Sequence, residues 1–235
     1  MLLLSLPGMN LEKCFFIIKN NALSKGEVMI ENNLSTIETR EFDRDYFTAK
    51  RTPALVEYDY YIMRKNRQFF INGEINDDLL DEVGLPIIKF NQEDSENNIP
   101  ITERKKIVIY LNTFGGDPDT ALTLADIIKN SKTPIEIIAF SKVCSAGIFI
   151  LLATNIRKAY KHSYFLIHEG VRGGIDSTSK AQEFFEFVKV QEKYIKEFII
   201  QNTKITDELY GHKYKEEWYF DTKGALKYGL ITEII

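Results

Sequence analysis

Between Lys106 and Ile167 the chain alternates short apolar runs with segments of helical period, and this alternation limits the possible folds more than any other feature. Lys106 to Leu111 is a β-branched run of strand length, followed by a helical pattern from Pro118 to Lys129 with Ala121, Leu122, Leu124, Ala125, Ile127 and Ile128 at helical spacing. Ile135 to Phe140 predicts a second strand, Ala146 to Ala153 a helix apolar on all sides, and Tyr164 to Ile167 a third strand. Strands this continuously apolar are covered on both faces, which a parallel sheet with helical crossovers achieves. The expected class is α/β with a mainly parallel sheet.

The flanks extend the same pattern. Pro53 to Arg64 is amphipathic, Gln68 to Ile71 reads as a strand and Asn72-Gly73 as a turn. A helix is expected from near Asn76, with Asp77 and Asp78 in the first turn, where the helix dipole favours acids. Asn91 to Asn98 is polar and acidic and reads as a surface loop. Ser179 to Gln201 is the longest helical pattern; its broad stripe, Phe184, Phe187, Val188, Ile195, Phe198 and Ile199, suits packing on its own domain or against another subunit. Leu226 to Ile235 reads as a helix broken by Gly229 before a closing strand. Residues 1–52 hold only two apolar bursts, so the expected organisation is an N-terminal extension, 1–52, and one domain, 53–235.

Composition removes several function classes. The net charge is −4 and the Lys and Arg are scattered, so nothing gathers a phosphate backbone and no nucleic-acid partner is expected. Cys14 and Cys144 are too few for a disulfide framework or a cysteine metal site; a reducing cytoplasm fits, with no metal and no cofactor called for. No apolar run reaches the ~18 residues a membrane span needs. The leucines of Met1 to Pro7 follow no basic residue, so an ordinary terminus is expected there rather than a secretory leader.

Three segments lie just past strands, where open α/β sheets bind ligands. Gly115 and Gly116, followed by Asp117 and Pro118, let a substrate approach backbone N–H groups. Ser145, between Cys144 and Ala146-Gly147, stands before an apolar helix, where its hydroxyl meets free N–H groups. A capping serine or a turn glycine explains each segment taken alone, and Cys144 reads as a small buried thiol. His168 ends the third run; His162 and His212 lack such a context. Acyl transfer needs a nucleophile, a base and two oxyanion donors, and Ser145, His168 and the amides of Gly116 and Ala146 supply them together.

In this order the residues resemble the ClpP peptidase family, over about Tyr58 to Ile235. Asn112 with Gly115-Gly116 is similar to that family's Asn-Ser-Pro-Gly-Gly, Cys144-Ser145-Ala146-Gly147 to its Ala-Ser-Met-Gly, and Leu166-Ile167-His168 to its Met-Ile-His. Gly173-Gly174 before a long helix, and the ending Ala225 to Ile231, agree as well. The resemblance implies a crotonase-like fold of spiral ββα units with a protruding handle helix. It implies Ser145 as nucleophile, His168 as base, and heptameric rings stacked as a tetradecamer around a chamber. It also implies an AAA+ unfoldase delivering unfolded protein or peptide, bound near Gly115 to Pro118 and Val171 to Arg172 by strand addition.

One departure bears on activity. The family's triad aspartate is matched here with Lys213, which cannot accept an imidazole N–H. Glu208, Glu216 and Glu217 are near enough in sequence to substitute, a backbone carbonyl is another orienting group, and a desolvated Lys213 acting as base is a further alternative. The rival to an active peptidase is a catalytically weak or silent structural subunit; a crotonase-type acyl-CoA enzyme is a third reading.

Overall fold

The computed structural model describes residues 55–170 and 178–235, with the side chains of 55–57 and 178 left aside. The extension 1–52, and with it Cys14, lies outside the described residues, as do Val171, Arg172, Gly173 and Gly174. Residues 60–235 form one compact unit.

Helix α1 (Leu55–Lys65) leads to strand β1 (Gln68–Asn72), whose Phe69 and Ile71 turn inward. A π-helical turn, Leu80–Gly84, opens into helix α2 (Leu85–Glu96). Pro86 lacks the N–H an α-turn would use, and the widened turn is closed instead by Leu85 N–H donating to Leu80 O. Then follow β2 (Ile107–Thr113), α3 (Pro118–Asn130), β3 (Ile135–Cys144), α4 (Gly147–Leu152) and β4 (Ile156–Ala159). Next come β5 (Tyr164–Ile167), α5 (Thr178–Asn202), α6 (Asp207–Lys213), β6 (Trp218–Asp221), α7 (Thr222–Tyr228) and β7 (Glu233–Ile234).

The sheet runs β1-β2-β3-β4-β7, all parallel. Its centre is fully buried: Ile107, Ile109, Leu111, Ile137 and Ala139 expose nothing. Helix α4 is apolar all round because it is buried throughout. Gly147 must be small, since a Cβ there would lie 2.4 Å from Thr113 Cγ2.

Strand β3 changes partner partway along. Glu136 to Ala139 pair with β4, whereas Lys142 to Cys144 pair with β5, which in turn carries antiparallel β6. The strand expected to stop at Phe140 therefore runs to Cys144, carrying the chain to Ser145. Asp117 caps α3, accepting from Thr120 N–H at 2.6 Å, Asp221 caps α7, accepting from Gly224 N–H at 2.7 Å, and Gly229 closes α7 at φ 77°.

Asn91 to Asn98 is corrected. The segment expected as a loop is helical through Glu96; most of it is exposed, while the side chains of Asn91 and Asp94 turn inward. Asp94 is buried and forms a bidentate pair with Arg67 at 2.6 and 2.7 Å, while Thr133 Oγ1 donates to it at 2.7 Å. Asn91 accepts from Lys132 and Thr133 N–H and donates to Ser131 Oγ, tying α2 to the turn after α3. On α5 the apolar stripe divides: Ile199 is buried and Phe198 packs edge-on to Phe149 at 6.4 Å, whereas Phe184, Phe185, Phe187, Val190 and Tyr194 are exposed.

Candidate active site

Ser145 follows β3 at φ 54°, a region that non-glycine residues rarely adopt and that costs about 1–3 kcal/mol. The surroundings impose it: Ser145 N–H donates to Leu166 O at 2.9 Å, and Ser145 O accepts from Ile148 N–H at 3.0 Å. The side chain is thereby put at the carboxyl end of the sheet, before helix α4.

The glycine pair is required by space. Gly115 has φ 113°, and a Cβ on it would lie 2.7 Å from Ser145 Cβ. Gly116 has φ 144°, and a Cβ there would lie 2.3 Å from Ile75 O. Around Gly116 a parallel bridge forms, with Ile75 N–H donating to Gly115 O and Asp117 N–H to Ile75 O. That pattern turns Gly116 N–H to the opposite side. Among the described residues neither Gly116 N–H nor Ala146 N–H donates to a protein acceptor, so both are free for an oxyanion.

His168 follows β5, and Glu217 precedes β6. The antiparallel register pairs Ile167 with Trp218, which makes His168 and Glu217 the next facing positions. Their side chains meet, with Nδ1 2.9 Å from Glu217 Oε1. A carboxylate accepts only, so Nδ1 carries the proton toward it and neutral imidazole keeps Nε2 as the acceptor. Ser145 and His168 share a cavity of about 550 Å³, with Gly116, Ala146 and Pro118 also on its wall and Ile148, Phe149, Ile199 and Tyr210 giving it an apolar lining. Among the described residues no hydrogen bond joins Ser145 Oγ to the imidazole.

Lys213, the position matched to the family's aspartate, stands at the end of α6 and donates to Glu216 at 2.7 Å. Of the three acids weighed, Glu217 is the one that reaches the imidazole, Glu216 binds Lys213, and Glu208 lies in the first turn of α6. Trp218 to Asp221 reads as a short aromatic strand; seeing it, and pairing it with Tyr164 to Ile167, would have selected Glu217. Asp117 caps α3, while His162 and His212 are exposed. Burial pushes the Cys144 thiol up to about 11, with nearby Lys142 opposing the shift and Glu217 adding to it. That keeps it a protonated neighbour rather than a nucleophile. Among the described residues no cluster of three or more His, Cys, Asp or Glu is placed to hold a metal ion, and no helix is long and apolar enough to cross a membrane.

The parallel sheet with its crossover helices and the long helix α5 has the ClpP fold. The comparisons agree. A mutant ClpP1 from Listeria monocytogenes superposes with a TM-score of 0.61 at 23% identity, over 74% of this chain and 94% of its own. The family model for Clp protease matches residues 54–235, and the chain belongs to the Clp protease family. Similar curated proteins include the ATP-dependent Clp protease proteolytic subunit 2 of Treponema pallidum, 28% identical over 73% of this chain and 83% of its own length. Subunit 1 of the same protease from Borreliella burgdorferi is 27% identical, over 75% of this chain and 88% of its own.

Proposed function

We propose that this chain is a serine endopeptidase subunit that cleaves unfolded protein or peptide inside an oligomeric chamber. Ser145 Oγ attacks the scissile carbonyl while His168 Nε2 takes its proton, and Gly116 and Ala146 N–H hold the oxyanion. His168 then protonates the leaving amine, and water enters by the same route to release the acyl group. Glu217 fixes the imidazole tautomer and stabilises the imidazolium, the work the family gives to an aspartate. Extended substrate adds as a strand beside Gly115 to Pro118. The observation that carries this reading is the contact of Glu217 with His168, which lines the same cavity as Ser145.

The assembly belongs to the same proposal. Heptameric rings stacked in pairs give the exposed phenylalanines of α5 a partner, and the word "ATP-dependent" in the relatives' names favours an AAA+ unfoldase feeding the chamber. The cytoplasm is the compartment proposed.

A fluorophosphonate probe tests the chemistry. It labels Ser145 in the assembled protein, and Ser145→Ala removes both the label and peptide turnover. An assembled protein that takes no label sinks the reading. The second reading, a catalytically silent subunit, is favoured by the missing Ser145–His168 hydrogen bond; such bonds often tighten only when substrate binds. Turnover that Ser145→Ala abolishes excludes it.

A further inference from the structure

The β2–β3 ladder contains an irregularity that the chemistry above does not use. Leu111 faces Ala139 and Thr113 faces Val143, so β2 advances two positions while β3 advances four. The extra residues form a bulge that ends at Lys142. Here β3 leaves β4 and takes up β5, and Ser145 follows three positions later. A bulge removes N–H groups from the ladder and bends the strand, and those groups need another acceptor.

Asn112 supplies one. Its Oδ1 accepts from Lys142 N–H at 3.2 Å, and its Nδ2 donates to Asn72 Oδ1, its cross-strand neighbour on β1, at 2.6 Å. The side-chain amide thus stands where a backbone peptide would, an acceptor toward β3 and a donor toward β1. Beyond it β3 is straight again, with Lys142, Val143 and Cys144 paired to Tyr164, Phe165 and Leu166. The Ser145 N–H bond to Leu166 O continues that pairing, and Leu166 lies two residues before His168.

We infer that Asn112 is a positioning residue for the nucleophile: its side chain sets the β3 bulge and so fixes where Ser145 stands relative to His168. This rests on the serine-peptidase reading above. Asn112 touches no reacting atom; it acts through the three strand residues between the bulge and Ser145. A displacement of about 1 Å at a reacting group costs about 10²-fold in rate, so a small relaxation of the bulge is enough to matter.

The test compares the assembled full chain with Asn112→Leu, Asn112→Asp and Asn72→Ala. It reads the rate of fluorophosphonate labelling at Ser145, kcat and KM on a fluorogenic peptide, and the sedimentation and melting of each variant. Asn112→Leu keeps the shape and loses the acceptor, so labelling and kcat fall by about 10²-fold at unchanged KM. Asn112→Asp keeps the acceptor for Lys142 N–H, and Asn72 can turn its amide to donate, so its rate returns close to wild type. A purely structural role would lower the melting temperature while the folded protein still labelled at the wild-type rate. That result overturns the inference, as does Asn112→Asp labelling as slowly as Asn112→Leu. If Asn112→Leu fails to assemble, Asn72→Ala decides: slower labelling supports the inference and wild-type labelling overturns it. A wild-type protein that takes no label brings down the serine-peptidase reading itself, whereas a labelled wild type with an equally fast Asn112→Leu brings down only the positioning role.

Discussion

His168 and Glu217 face each other as the next pair after Ile167 and Trp218 in the β5–β6 ladder, and their side chains close to 2.9 Å. The sheet register itself therefore brings an acid to the imidazole, although the position matched to the family's aspartate holds Lys213.

Glu217 is expected to be the orienting acid. Replacing the equivalent aspartate by asparagine in a chymotrypsin-type protease costs about 10⁴ in turnover. Glu217 is more exposed, so Glu217→Gln should lower kcat by about 10²- to 10⁴-fold at unchanged KM, and Glu217→Asp should recover part of the loss. Lys213→Ala should leave kcat near wild type. Steady-state kinetics on one fluorogenic peptide check all three; a Lys213→Ala loss as large as that of Glu217→Gln would contradict the assignment.

The glycine pair should tolerate no side chain. Gly116→Ala drives a Cβ against the backbone of Ile75, and Gly115→Ala drives one against Ser145. Each is expected to lose fluorophosphonate labelling, with destabilisation of about 1–3 kcal/mol from the backbone conformation alone. Urea unfolding and labelling of the same samples measure the two effects side by side.

Asp94 links acid stability to α2. Its hydrogen bonds from Arg67 hold its carboxyl below the usual carboxylate value against the opposing effect of burial, with help from Thr133. A depressed folded value adds stability above the unfolded pKa of about 3.9, and that stability is lost as pH falls through the lower folded value. Asp94→Asn strands the Arg67 charge, so it should cost about 3–5 kcal/mol at neutral pH. The gap between wild type and variant should narrow below about pH 4. Denaturant midpoints against pH give the answer, and a gap that stays constant to pH 3 would refute it.

Cys144 should behave as an inert core thiol. With its thiol pushed up to about 11 and its side chain buried, iodoacetamide at neutral pH should leave it unmodified until the protein unfolds. Peptide mapping by mass spectrometry distinguishes it from Cys14, and rapid alkylation of folded Cys144 would count against the structure around Ser145.

Much of this is legible in the sequence. Ser145, His168 and the glycine pair stand at strand ends, and strand ends are marked by the change from β-branched runs to small residues. Asn91 to Asn98 misled because a polar run was read as irregular structure, whereas it is the largely exposed end of a helix, from which Asn91 and Asp94 turn inward to partners on other elements. Two short strands escaped for related reasons. Ile156–Ala159 contains Arg157, buried because its guanidinium donates to the carbonyls of Thr154, Asn202 and Gly229. Trp218–Asp221 is only four residues long, and without it nothing local favours Glu217 over Glu216.

The change of partner along β3 also divides the site mechanically. Ser145 and His168 hang from β3 and β5, strands bonded to each other. Glu217 hangs from β6, whose sole partner among the described strands is β5, and its side chain is 58% exposed. The proposed nucleophile and base are thus built into the frame, while the carboxylate in contact with His168 sits on its outer rail. Replacing Glu217 is therefore expected to leave the β3–β5 pairing that carries Ser145 and His168 intact.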